Sequence, residues 1–347
     1  MDRYAEREGS VAVKLRIFAA VTAFIFLVGC AADLSNAELP SYTDESAVRG
    51  YTFAVGTNAS HALTSAAAFF GGRVNEISLG QLRIETMPSN DPLQDLLDGT
   101  AQLAILSSEE VLSLSEYAAA LRLPFNYRNY THFTMAVNNE QVLSVLAAEM
   151  DAEHGVWPVA GFFYGTRHFL SQGALPEFPD HIFEGAAAVL PNSNMAYGLA
   201  VMGYQVLTQE SYERRISMLE SGEVSLIEVT ALELTTNSDW IEERFDLILS
   251  RHDMDKQFLV MRSDFWNTLP PALGAALTEA ASYMSSLIDN VHIRRDVMLH
   301  SMINYGFTQI HILPIPEMLP LISRSAWHQS HNTDELFGYL AELVIGI

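Results

Sequence analysis

Cysteine is almost absent from this chain: its 347 residues hold one, Cys30. One thiol closes no internal disulfide and builds no thiolate metal centre, so packing must hold the chain together. Basic side chains are scarce as well, 19 Lys and Arg against 42 Asp and Glu, for a formal net charge of −23. Such a surface repels nucleic acid and anionic lipid headgroups, which excludes DNA and RNA as partners. The signatures of common enzymes are missing too. There is no Gly-x-Ser-x-Gly elbow, no phosphate-cradling glycine loop and no His-Glu-x-x-His pair. The eleven histidines are scattered, and His328 and His331 read as surface imidazoles. Glu109-Glu110 and Glu242-Glu243 read as solvated faces of polar helical stretches. No catalytic residue, metal ligand or cofactor is expected.

What is present begins at the N-terminus. Lys14 and Arg16 precede a nearly unbroken apolar run from Ile17 to Val28, followed by Gly29 and Cys30. A charged n-region and a short apolar h-region make a secretion leader, too short for a good membrane span. A small residue before cysteine fits the bacterial lipoprotein signal, in which the thiol is lipidated and the leader removed. A plain secretory leader with an incidental cysteine is the other reading. The leader, residues 1–29, holds four of the basic and three of the acidic residues, which leaves 15 and 39 and a net charge of −24. Residues 30–49 are polar, acidic and aperiodic, a flexible tether.

Beyond the tether, strand and helix patterns alternate. Tyr51 to Gly56, Leu82 to Met87 and Leu103 to Leu106 read as strands, with helical patterns at His61–Glu76 and Pro92–Asp98 between them. That rhythm predicts a parallel sheet covered by helices. Further strands are expected at Val156–Tyr164, Ala186–Leu190, Leu226–Val229, Gln257–Arg262 and Thr308–Leu313. From Pro270 to Tyr305 the apolar spacing predicts one helix of about 50 Å, long enough to lie across two lobes. Two helices broken near Asn290 are the alternative.

The stretch Phe162-Phe163-Tyr164-Gly165-Thr166-Arg167-His168 loads a strand with aromatics, reaches glycine and then places one arginine. Read as a strand end, it puts Arg167 where open α/β sheets bind ligands. A guanidinium there pairs with a ligand carboxylate through two parallel hydrogen bonds, or else with a surface acid of the chain itself.

Several blocks together carry a resemblance: Leu123-Pro124-Phe125 with Tyr130, Gly165-Thr166-Arg167-His168, Gly185 through Leu190-Pro191-Asn192-Ser193, and Phe258 to Met261 with Phe265-Trp266-Leu269-Pro270-Pro271. In order and spacing the chain resembles the solute-binding proteins of TRAP transporters, the DctP family, over most of residues 50–325. The resemblance implies an α/β, two-lobe, periplasmic-binding-protein-like fold with a long helix spanning both lobes. Lobe I would take residues 50–160 with 253–292, and lobe II 161–252 with 293–325, leaving 326–347 as a C-terminal helix. It implies capture of a small organic solute bearing a carboxylate, delivered to TRAP membrane subunits by a protein anchored through lipid on Cys30. Its candidate contacts are Arg167, Asn192 and Glu228, with Tyr164 on the aromatic strand and His61 at the start of the first helix. Two positions depart from the family pattern: Val189 stands where a carboxylate-pairing arginine is usual, and Val229 where an asparagine is usual. A degenerate receptor serving as a surface sensor or scaffold is the alternative function, and an anchored enzyme on the same scaffold a third.

Overall fold

The computed structural model describes residues 49–172, 185–191, 193–236, 245–302, 310–312 and 335–346. The leader with Cys30, the tether up to residue 48, Asn192, Glu242-Glu243, His328 and His331 lie outside the described residues.

The first half alternates as the pattern predicts: β1 (Arg49–Gly56), α1 (His61–Ile77), β2 (Leu82–Ser89), α2 (Pro92–Asp98) and β3 (Leu103–Ser107). The helix starts are capped locally. Ser60 accepts from the Leu63 N–H, and Asp91 accepts from the Gln94 N–H just ahead of Pro92. Then come α3 (Ser108–Leu114), a 3-10 turn (Glu116–Arg122), α4 (Tyr130–Val137) and α5 (Glu140–His154). The second half holds β4 (Val156–Ser171), β5 (Gly185–Val189), α6 (Met195–Val201), β6 (Tyr204–Thr208), α7 (Tyr212–Glu220), β7 (Leu226–Thr230) and α8 (Ala231–Thr236). Last are β8 (Asp246–Arg262), α9 (Ser263–Asn267), α10 (Pro271–Met302), β9 (Ile310–Ile312) and α11 (Glu335–Gly346).

The nine strands among the described residues form one sheet in the order β2-β1-β3-β8-β4-β7-β5-β6, with β9 beside β8. It is mixed, not parallel throughout. β1 lies parallel to β2 and β3, and β5 lies parallel to β6 and β7, while β4 and β8 run antiparallel to their larger neighbours. These two strands, 16 and 17 residues long, join the halves; each spans about 55 Å at ~3.3 Å per residue. Both exceed expectation. β4 runs on through Gly165, and β8 starts at Asp246 rather than near Gln257. Gly165 marks a register shift, not a strand end, because a bulge absorbs the extra residue while pairing continues on either side.

Side-chain alternation along these strands feeds a core on each face of each half. Phe162, Leu259 and Met261 face Phe53, Phe70 and Leu277; Phe163, Phe258 and Val260 face Val111, Phe133 and Leu340. Farther along, Leu170 and Leu247 join Ile227 and Leu299, while Phe169 and Ile248 join Val189 and Met195. The helix α10 is one unbroken rod of 32 residues, about 48 Å at ~1.5 Å rise, and it packs on α1 of the first half and α8 of the second. The break near Asn290 does not occur. The architecture is the two-lobe α/β arrangement with a long helix spanning both. No helix among the described residues is long and apolar enough to cross a membrane.

Adjacent glycines of α1 offer a clean test of its packing on β2. A methyl group on Gly71 would press on the Ile84 carbonyl oxygen, whereas one on Gly72 meets nothing within 4 Å. Both substitutions bring the same gain in helix propensity, about 1 kcal/mol. Gly72→Ala should therefore raise stability by up to about 1 kcal/mol, while overpacking should turn Gly71→Ala into a net loss of about 1–2 kcal/mol. Urea unfolding of both variants checks this; equal stabilities would refute the close approach.

Candidate functional site

The two long strands change character where they leave one half and enter the other. Between the apolar stretches lie Thr166, Arg167 and His168 of β4, and Ser250, His252, Asp253 and Lys256 of β8, all buried. Buried polar groups persist only when partnered, and here the partners are mostly one another.

Arg167 is central. It faces Asp253 across the ladder, and Asp255 sits opposite Gly165, two positions along on the same face. The Arg167 Nε and Nη2 both donate to Asp255 Oδ1, at 2.8 and 2.7 Å. Glu228 Oε1 lies 3.7 Å from Nη1, and Glu109 Oε1 lies 4.0 Å from Nη2. Nη1 itself makes no hydrogen bond. Glu109 also accepts from Arg122 at 3.0 Å, so it links α3 and the 3-10 turn to the strand crossing. It is not the idle solvated acid its sequence context suggests.

Glu228, on β7, is a second hub and fully buried. Its carboxylate accepts from the Leu190 N–H at 2.8 Å, the Ser193 hydroxyl at 2.8 Å and His252 Nε2 at 2.9 Å. Burial opposes its ionisation, but the Arg167 charge with the His252 and Ser193 contacts outweighs it and holds the carboxyl below its ordinary range. His252 stacks on Phe169 with centroids 4.3 Å apart, and its other ring nitrogen meets Ser250 at 2.7 Å. Asp253 is clamped by Lys256 at 3.1 Å and by the Asn194 amide at 2.9 Å. Among the described residues, positive φ outside glycine occurs at Leu79, Phe125 and Arg251, and two of these adjoin this crossing. Phe125 donates its N–H to the His252 carbonyl. Backbone strain of this kind costs of order 1–3 kcal/mol and needs a firm surround.

Behind the crossing, α10 presents a buried polar stripe at helical spacing: Ser285, Asp289, His292 and Asp296. Asp289 accepts from the Phe163 N–H at 2.6 Å, next to the register shift in β4. Asp296 accepts from Thr166 at 2.6 Å and from Tyr130 at 2.8 Å. His292 lies against the Tyr164 ring, centroids 4.8 Å apart.

Of the sequence candidates, Arg167 and Glu228 meet directly, and Tyr164 stands half-buried three residues before Arg167. Arg167 lies inside β4 rather than in a turn beyond it, because the strand continues past Gly165. His61 is exposed at the first residue of α1, with its Nε2 3.4 Å from Ser65. Asn192 falls outside the described residues. Val189 and Val229 are fully buried in apolar clusters. Sequence reasoning missed Asp253, Asp255, Lys256, His252 and Asn194. A signal existed: Asp246 to Arg262 contains neither glycine nor proline, so nothing in it breaks a strand. No group of side chains with the makings of a metal site occurs among the described residues.

Two long strands crossing between two cores, backed by one long helix, form a known arrangement. The fold is that of the TRAP periplasmic solute-binding proteins. One from Rhodobacter sphaeroides, apo and open, matches at a TM-score of 0.71 and 18% identity over 85% of this chain and 98% of its own. One from Desulfovibrio desulfuricans with bound sn-glycerol-3-phosphate matches at 0.68 and 16%, over 85% and 96%. One from Roseobacter denitrificans with bound β-D-glucuronate matches at 0.66 and 16%, over 86% and 99%. The family model described as bacterial extracellular solute-binding protein, family 7 (DctP) matches residues 53–184. These matches are consistent with a divergent member of that family. No curated protein matches the chain.

The polar stripe makes a pH prediction. Burial pushes Asp289 up to about 6 from an ordinary 3.8, against the hydrogen bonds from Phe163 and Thr134. Burial, then Arg295, pushes His292 down to about 4. For a carboxyl whose folded value is raised, the stabilising contribution is complete below its unfolded value and is lost as pH rises through the folded one. For a depressed imidazole the loss comes instead as pH falls from about 6.5 towards 4. Asp289→Asn removes the first effect and leaves His292 in both proteins. Between pH 4.5 and 7 the wild type should therefore lose about 2 kcal/mol relative to the variant. Parallel denaturation profiles across that window would show Asp289 titrating normally.

Proposed function

We propose that this chain is an extracytoplasmic solute-binding protein that captures a small organic solute between two lobes and presents it to TRAP membrane subunits. The observation carrying this reading is the cluster of paired charges at the crossing of β4 and β8, where groups from both halves converge on Arg167. Burying so many charges costs several kcal/mol per ion unless each is paired, which a sheet needing only stability has no reason to bear. The lobes are taken as residues 50–160 with 253–292 and 161–252 with 293–325, so that β4 and β8 serve as the hinge. Arg167, Tyr164, Glu228, His61 and Asn192 remain the proposed ligand set, with Glu228 acting by holding Arg167 and the Leu190 backbone in place. The bound ligands of the two neighbours, a glycerol phosphate and a sugar acid, make a small polar metabolite the fitting class. No chemistry on that ligand is proposed. Anchoring through lipid on Cys30 is part of the same reading and rests on the leader.

A second reading, a degenerate receptor acting as a sensor or scaffold, draws on the internal pairing of Arg167 with Asp255. It also draws on the two valines that stand where the resembled family places polar contacts.

Ligand present at a hundredfold excess over its dissociation constant stabilises a protein by about 2.7 kcal/mol. A thermal-shift screen of small carboxylates, sugars, polyols, sugar acids and phosphorylated polyols should find at least one clear stabiliser. Arg167→Ala should then weaken it tenfold or more in a calorimetric titration. A screen with no shift favours the degenerate receptor.

Anchoring has its own test. Cys30→Ser should abolish lipid labelling and move the protein from membranes to the soluble fraction. A variant that remains membrane-bound, beside a wild type that takes no label, defeats it.

A further inference from the structure

The immediate surroundings of Arg167 speak to the class of solute, given the solute-binding reading. Two of its three nitrogens, Nε and Nη2, already donate to Asp255 Oδ1. A ligand carboxylate in that position would have to displace a carboxylate belonging to the chain. The cluster contains Arg167, Arg122 and Lys256 against Glu109, Glu228, Asp253 and Asp255, three cations to four anions. The most exposed members are both anions, Asp255 at 17% and Glu109 at 32%, whereas all three cations and the other two anions, Glu228 and Asp253, are 9% exposed or less. A solute arriving here meets carboxylate oxygens first. An anion is repelled by them, and Val189, buried in the core, supplies no second cation.

Two demands remain at the site. Asp255 and Glu109 are partly exposed carboxylates that can accept further hydrogen bonds, while Arg167 Nη1 is a buried donor that makes none. An ammonium group answers the first and not the second; a carboxylate answers the second and not the first. A hydroxyl group both donates and accepts, and two neighbouring hydroxyls can bridge a carboxylate and a guanidinium at once. Specificity of this kind is as much rejection of the wrong charge as attraction of the right group.

We propose that the cleft takes an uncharged polyhydroxylated solute, a sugar or polyol, in preference to the corresponding acid, and that Asp255 sets this preference. Asp255 is the resident counter-ion of Arg167 and stands where an acid's carboxylate would otherwise bind.

Matched pairs differing only in charge test it. Calorimetric titration would use D-glucose against D-glucuronate, D-galactose against D-galacturonate and D-glucitol against D-gluconate. At least one neutral member should bind the wild type tenfold or more tightly than its acid. Asp255→Asn keeps the side-chain shape and an oxygen acceptor while removing the charge, so it should narrow that ratio at least tenfold. Glu109→Gln, at a more exposed position, should shift it the same way and serves if the first variant fails to fold. An acid that binds as tightly as its neutral partner overturns the proposal, as does a ratio unmoved in a folded variant. Silence from all six compounds overturns the sugar or polyol assignment. If the broader thermal-shift screen still finds a stabiliser of other chemistry, solute binding stands without this inference; if it finds none, both fall.

Discussion

Charge placed in the middle of a sheet must be neutralised where it stands, and the pairing of Arg167 with Asp255 does this for the strand crossing. Truncating one partner of a buried pair leaves the other uncompensated, at a cost of about 3–5 kcal/mol. Here the consequence spreads, because the same guanidinium lies 3.7 Å from Glu228 and 4.0 Å from Glu109. Glu228 in turn holds the Leu190 backbone, Ser193 and His252, and through His252 the Phe125 turn. The groups at the crossing thus form one network in which few pairs can be altered independently.

This network explains why two apolar cores on each side do not merge. Phe162 and Phe163 end one pair of clusters and Phe169 and Leu170 begin the other, with five residues from Tyr164 to His168 between them. Hydrophobic burial is nondirectional and would fuse the halves into one rigid slab if that interval were apolar. A polar interval with register shifts instead gives directional bonds that hold one geometry locally. The long helix completes the device from behind, because Asp289 takes up the Phe163 N–H beside the shift and Asp296 takes up Thr166.

Much of this was legible in the order of residues. Strands with one buried face, such as Leu82 to Met87, show their alternation, and Pro271 to Met302 shows a helical apolar spacing over most of its length. Local punctuation is the poorer guide. Gly165 looks like a strand end, yet the strand survives because β7 and β8 supply ladder partners on both sides of it. His252-Asp253-Met254-Asp255-Lys256 looks too polar for the inside of a sheet. It is strand because His252 meets Glu228 of β7, Asp255 meets Arg167 of β4, and Asp253 meets Lys256 of its own strand and the Asn194 amide from the loop before α6. Such pairings join residues as much as 88 positions apart, beyond the reach of periodicity. Arg167 could be singled out by its type and neighbours; its partner could not.

The position of that partner changes how the departures from the family pattern are understood. Val189 and Val229, taken alone, look like two polar ligand-binding positions given over to hydrophobic drift. In the structure both are tightly packed members of apolar clusters. Without a ligand or an internal counter-ion a buried arginine would be orphaned, at the cost of an unpaired buried charge. Arg167 is not orphaned. Asp255 meets it through two charge-assisted bonds at 2.7 and 2.8 Å, and Glu109 ties it to Arg122. With valine at 189 and an internal anion against Arg167, the charges of the crossing form one coherent arrangement. The cluster is thus neutralised without a ligand, and a solute that binds here must fit charges that are already paired.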